Sequence, residues 1–199
     1  EWIESKRQGL TICDATSAAF AMKLPWEKLD VVTYSWQKVL GSEAQHGVLV
    51  ISPRAIERLE EYTPPWPLPK IFRLTKDNKL NYKIFKGETI NTPSMLVVED
   101  VLDSLKWAER IGGLNCLIER SMTNLNLISD WIQDTNDFDF LVQNPLWRSS
   151  TSVCIKIVAK WFKELDNKGQ VDVAMKLSLL LEEMNIAYDI GSYRDAPPG

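Results

Sequence analysis

Two short β-prone runs, each closed by polar residues, constrain this chain more than any other feature. The first, Leu-Thr-Ile-Cys at residues 10–13, ends in Asp14. The second, Val-Val-Thr-Tyr-Ser at 31–35, stops just before Gln37 and Lys38. Apolar runs rich in β-branched and aromatic residues mark strands. If the two strands are parallel neighbours joined by residues 15–29, Asp14 and Lys38 emerge on one edge of the sheet. Open α/β sheets receive ligands in the crevice at that edge. The expected class is therefore α/β.

An amine and a carboxylate converging in such a crevice suit pyridoxal phosphate chemistry. Lys38 would form the Schiff base with the cofactor aldehyde, and Asp14 would pair with the pyridine nitrogen, keeping it protonated so that the ring accepts electrons. A nucleophilic lysine must shed its proton, so a partly desolvated, cation-flanked setting is expected around Lys38. Spacing alone leaves a simpler alternative open. An Asp closing a strand is commonly a turn or cap residue, and a Lys after a strand commonly points into water.

The remaining pattern surrounds this pair. Residues 1–8 read as the end of a helix, and the small residues of 15–22 suit backbone packed near a cofactor, with Ser17 a candidate contact. Residues 41–47 form a turn, and the apolar run 48–52 reads as a third strand buried on both faces. His46, the only histidine, reads either as a structural hydrogen-bonder at that turn or as a substrate contact. Ser52-Pro53 starts a helix with Ile56, Leu59 and Tyr62 on one face. TPPWPLPK at 63–70 lacks the donors for a helix or a central strand, so it is an exposed or interface loop with Trp66 as a core plug or dimer contact. Runs 71–74 and 80–85 form a hairpin turning at Asp77-Asn78. A helix then starts with Thr92 as N-cap and Pro93 at the first helical position. It runs through Val101, Leu105 and Ala108 to Gly112-Gly113. From about Asn115 a smaller α/β unit follows: helix 117–133, strands 138–142 and 152–158, helix 171–184 and a last strand 187–190, giving a mixed sheet covered on one side.

Composition removes other classes. A net charge of −4 with interspersed basic residues leaves no footprint for nucleic acid. Three widely spaced cysteines without a CxxC favour reduced core thiols over disulfides or zinc. No run reaches a membrane span and no signal peptide is evident, so a cytoplasmic protein is expected. Neither GxGxxG nor GxxxxGK[ST] occurs, which speaks against nucleotide binding.

The segments ATSAAFAM, LPWEKLDVVTYSWQKVLG, HGVLVISPRAIERLEEYTPPWPLPKIFRLTK, FKGETINTPSM and AYDIGSYRDAPPG resemble one branch of the phosphoserine aminotransferases. These are fold-type I, class V pyridoxal phosphate enzymes, and SWQK and INTP are the most specific pieces of the likeness. The resemblance implies an α/β fold: the second half of a fold-type I large domain with its linking helix over 1–112, then a small, truncated C-terminal α/β domain over 113–199. It implies that Lys38 is the Schiff-base lysine, Asp14 the pyridine-nitrogen partner and Gln37 a ligand of the cofactor phosphate. Asn91 and Thr92 match the pair that reaches across a homodimer interface to the phosphate of the neighbouring subunit's pyridoxal 5'-phosphate. Arg194, in Tyr193-Arg194-Asp195, matches the loop that holds the substrate's phosphate. The implied reaction is transamination between L-glutamate and 3-phosphohydroxypyruvate, without a metal. A first residue Glu1 and a last stretch Ala-Pro-Pro-Gly read as cuts. The family's N-terminal half, which supplies the aromatic that stacks on the cofactor, and a final strand and helix are then missing. Two rivals stay open: another class V aminotransferase or lyase, and a non-catalytic α/β module.

Overall fold

The structure, a computed structural model, describes residues 3–4 and 6–191. It forms two compact units that divide between Met122 and Thr123, inside one long helix.

The first unit is built on a three-stranded sheet, β1 (Ile12–Asp14), β2 (Val31–Ser35) and β3 (Gly47–Ile51), in that order. β1 and β2 are parallel, as expected, with Ile12 opposite Val31 and Asp14 opposite Thr33. β3 returns antiparallel to β2 and sets Gly47 opposite Ser35. A side chain at Gly47 would bring a Cβ to 2.6 Å from the Tyr34 carbonyl oxygen, so the strand pair closes this tightly only around glycine. Between β1 and β2 the chain makes turns and one 3-10 turn, Trp26–Lys28. Ala15 and Ala21 are fully buried there, so the small residues expected at a cofactor pack against the protein itself.

One buried carboxylate fastens the opposite edge of this sheet. Asp30, 4% exposed, accepts from the Thr11 N–H at 2.8 Å, from Arg7 Nη2 at 2.6 Å and from Ser52 Oγ at 3.2 Å. These donors lie just before β1 and just after β3, so Asp30 ties all three strands at the residue that precedes β2. Buried charges persist when paired and hydrogen-bonded in this way. Ser52 also caps α1 (Pro53–Glu61), accepting from the Ala55 N–H at 3.1 Å.

Several expectations need correction. β3 is not buried on both faces: Leu49 and Val50 are 38% and 39% exposed, and as successive strand residues they point to opposite sides of the sheet. The hairpin turn at Asp77-Asn78 is present, both residues taking the left-handed φ of a tight turn. Its strands, β4 (Thr75–Lys76) and β5 (Lys79–Leu80), are two residues each. Residues 71–74 and 80–85 instead turn on themselves through the 3-10 turns Lys70–Phe72 and Ile84–Lys86, whose local bonds replace a ladder. α2 (Met95–Arg110) has Ser94, not Thr92, as N-cap. α3 (Gly113–Gln133) follows, the two helices broken where Gly112 and Gly113 take positive φ. Residues 3–8 contain no described helix.

The second unit pairs β6 (Phe138–Phe140) antiparallel with β7 (Ile155–Ile157). Leu125, Ile132 and Phe140 form its core, flanked by Ile128, Val153 and Ile155. Arg148 lays its guanidinium 3.8 Å over the Phe140 ring and donates to the Val142 and Gln143 carbonyls, fixing the loop between the strands. α4 (Lys160–Lys163) and α5 (Asn167–Glu183) follow, the latter capped by Asp166. α5 thus begins four residues before the periodicity of 171–184. The strand expected at 187–190 is absent: the chain turns there, with Asp189 at φ 53. The cysteines are free, but Cys154 is exposed and Cys13 and Cys116 are half-buried, so none is a fully enclosed core thiol. Among the described residues no group of side chains could hold a metal ion, and no helix is long and apolar enough to cross a membrane.

Candidate functional site

Asp14 is exposed at the carboxyl end of β1, where the chain leaves the sheet. Its Oδ1 accepts twice from Thr16, from the backbone N–H at 3.0 Å and from Oγ1 at 2.6 Å. The Thr16 side-chain bond, then its backbone bond, holds the carboxyl below its ordinary value against a smaller opposing effect of burial. Oδ1 is committed and the group stays anionic, while Oδ2 meets no hydrogen-bond donor among the described residues. Thr16 Oγ1 also accepts from the Ser35 N–H at 3.2 Å. One hydroxyl therefore spans from the acid to the last residue of β2. Thr16, rather than the neighbouring Ser17, is the partner of the acid, and its signal lies in the spacing, since an Asp side chain commonly accepts from the backbone N–H two residues on.

Beyond Ser35 the chain bends through Trp36, Gln37 and Lys38 into a loop over 36–46. Lys38 O accepts from the Gly41 N–H at 3.0 Å, and Trp36 O from the Ser42 N–H at 3.1 Å; Gly41 takes φ 67 to close the turn. Ser35 Oγ lies 3.2 Å from both the Ala44 and His46 carbonyl oxygens, gathering the loop's neck. Gln37 and Lys38 are both exposed, and the Lys38 amine meets no acid among the described residues. The expected partial desolvation is therefore not provided by them.

His46 faces inward. Its Nδ1 donates to the Gln45 carbonyl at 3.0 Å, its Nε2 accepts from the Ser94 N–H at 2.9 Å, and its ring meets Trp36 edge to face. Both ring nitrogens are occupied by backbone groups of this chain. Asn91 and Thr92 are exposed just upstream of Ser94. Arg194 lies outside the described residues.

Asp14 and Lys38 thus share one edge, as the spacing predicts, and the 91–94 segment is fastened to the lysine's loop. This donor set fits a pyridoxal cofactor. An anionic carboxylate with one oxygen open among the described residues suits a protonated ring nitrogen, and an amine that meets no acid among them suits an aldehyde carbon.

No family model matches the chain. It is 56% identical over all 199 residues to the phosphoserine aminotransferase of Methanosarcina barkeri. Over its whole length the chain is similar to one half of a phosphoserine aminotransferase. The match covers 51% of that relative, so the chain spans about half the length of the curated relatives it matches. Among solved structures, the phosphoserine aminotransferase of Cytophaga hutchinsonii superposes with a TM-score of 0.70 at 19% identity, over 96% of this chain and 48% of that one. A pyridoxal-phosphate-bound phosphoserine aminotransferase from Trichomonas vaginalis gives 0.67 at 18% identity, over 96% and 48%. The chain accordingly has the α/β fold of the corresponding half of these aminotransferases.

Proposed function

We propose that this chain is the lysine-bearing half of a pyridoxal 5'-phosphate-dependent phosphoserine aminotransferase. The reaction is amino transfer from L-glutamate to 3-phosphohydroxypyruvate, giving O-phosphoserine and 2-oxoglutarate for serine biosynthesis in the cytoplasm. The observation that carries this reading is the parallel register of β1 and β2, which brings Asp14 and the Lys38 segment to one sheet edge. The 56% identity to a phosphoserine aminotransferase supports the choice of substrate.

When bound, the cofactor supplies an electron sink for the bond broken at the substrate's α-carbon. The chain's own residues do the rest. Asp14 would hold the ring nitrogen, and Thr16 keeps that carboxyl ionised. Lys38 Nζ would hold the cofactor and would accept and return the substrate's α-proton, a transfer that proximity makes efficient. Gln37, beside Lys38, serves the cofactor phosphate. Asn91 and Thr92 serve the phosphate of the neighbouring subunit's cofactor in a homodimer with shared sites. Arg194 holds the substrate's phosphate, its planar fork of donors suited to that group. Residues 1–112 form part of the cofactor-binding domain and 113–199 the small domain.

The test is a panel of amino donors and keto acids with the full-length protein. Glutamate with the phosphorylated keto acid is expected to be the preferred pair by at least about tenfold in kcat/KM. Equal rates with an unphosphorylated keto acid would refute the substrate assignment. No visible absorbance on adding pyridoxal 5'-phosphate would refute the cofactor.

A further inference from the structure

The structure assigns His46 a task beyond the catalytic set. We propose that it is a positioning residue, whose Nε2 ties the 91–94 segment to the loop that carries Lys38. This rests on the cofactor reading above. Three observations bear on it. The N–H of a helix N-cap has no partner within its own helix, and His46 Nε2 accepts from that of Ser94 at 2.9 Å. The other ring nitrogen is spent on the Gln45 carbonyl and the ring edge on Trp36, so the imidazole cannot swing without losing both. Its own carbonyl accepts from Ser35 Oγ at the end of β2, which closes the lysine loop at its neck.

A single side chain thus connects the end of the strand that delivers Lys38 with the start of α2, three residues after Asn91. Ser42 Oγ, at 3.5 Å from the Val97 carbonyl, adds a second, weaker tie between the same two elements. If Asn91 and Thr92 meet a phosphate, their position relative to Lys38 is set through His46 rather than through contact with the cofactor. Loss of the tie should therefore weaken the recognition of phosphate and leave the amine's reaction with an aldehyde intact. In the homodimer proposed above, Lys38 and the 91–92 pair serve different cofactors, and His46 becomes the connection between two sites.

The experiment uses His46→Phe and His46→Gln in the full-length protein. Phe keeps a ring against Trp36 but has no acceptor; Gln can present an oxygen where Nε2 lies. Amide exchange at Ser94 is measured without cofactor, and affinity is measured with pyridoxal 5'-phosphate and, separately, with pyridoxal, which lacks the phosphate. His46→Phe is expected to speed Ser94 exchange and to weaken pyridoxal 5'-phosphate binding, each roughly 3- to 10-fold, the loss of one hydrogen bond. Pyridoxal binding should not change, and His46→Gln should restore both quantities. Equal losses for the two aldehydes, a Gln variant no better than Phe, or unchanged Ser94 exchange would each overturn the proposal. A wild-type protein that shows no Lys38-dependent absorbance with either aldehyde would sink the cofactor reading and the coupling together. That result is distinguishable, because in the cases above the wild-type band persists.

Discussion

Replacing Asp30 should cost more stability than any exposed charge in the chain, and the geometry indicates how much. The carboxylate is 95% enclosed at its side chain and Arg7, its ion-pair partner, is 18% exposed. Asp30→Ala would leave a mostly buried guanidinium without its counter-charge, held only by the Glu4 and Lys28 carbonyls and with its Nε already lacking a partner, and would leave the Thr11 N–H and the Ser52 hydroxyl without their acceptor. Breaking such a buried pair from one side costs about 3–5 kcal/mol. Asp30→Asn keeps one carbonyl acceptor but loses the charge, and should cost about 2 kcal/mol. Urea unfolding followed by tryptophan fluorescence reads both. The pH dependence has a definite sign. Burial raises this carboxyl, but the bonds from Thr11, Arg7 and Ser52 together outweigh it and leave it below its ordinary 3.8. The contribution is therefore complete above that value and is lost as pH falls through the lower folded-state value. The gap between wild type and Asp30→Ala should be widest near neutrality and should narrow in acid. A loss below about 1 kcal/mol at pH 7, the level of an exposed pair, would refute the reasoning.

Other consequences lie closer to the candidate site. Gly47→Ala places a Cβ 2.6 Å from the Tyr34 carbonyl and must push β3 off β2 beside the lysine loop. A destabilisation of about 1–3 kcal/mol is expected in the same unfolding assay, and an unchanged midpoint would contradict the close approach. Thr16→Val removes the hydroxyl on Asp14 and should move the carboxyl's titration up toward 3.8, read by carbon-13 NMR of labelled protein. Thr16→Ser should leave it in place, and an unmoved titration in the valine variant would show that the hydroxyl does not hold the carboxylate.

The core of the α/β unit was legible because its signals are local. The runs ending at Asp14 and Ser35, and the Ser52-Pro53 helix start, each carry their own strand or cap chemistry, and β1, β2 and α1 appear where those residues put them. The failures share one cause: they assumed neighbours. The apolar run of β3 implied two covered faces, and the runs around Asp77-Asn78 implied a ladder long enough to hold Phe72 and Tyr82, which are instead 65% and 58% exposed. Pro93 favours Thr92 as a cap, yet Ser94 caps the helix, a shift of two residues within the usual ambiguity of helix ends. At the site, Asp14 and Lys38 could be read from strand ends, whereas the engagement of His46 with Ser94 joins residues 48 apart and no spacing rule reveals it. Thr16 was within reach, two residues from the acid it holds.

The most direct measurement identifies the lysine that takes the cofactor. Full-length protein is mixed with pyridoxal 5'-phosphate, reduced with borohydride, digested, and the modified peptide sequenced. Modification confined to Lys38, in the segment Ser-Trp-Gln-Lys, is the predicted result; modification at another lysine, or spread over several exposed ones at equal yield, would contradict the assignment of this sheet edge as the cofactor site.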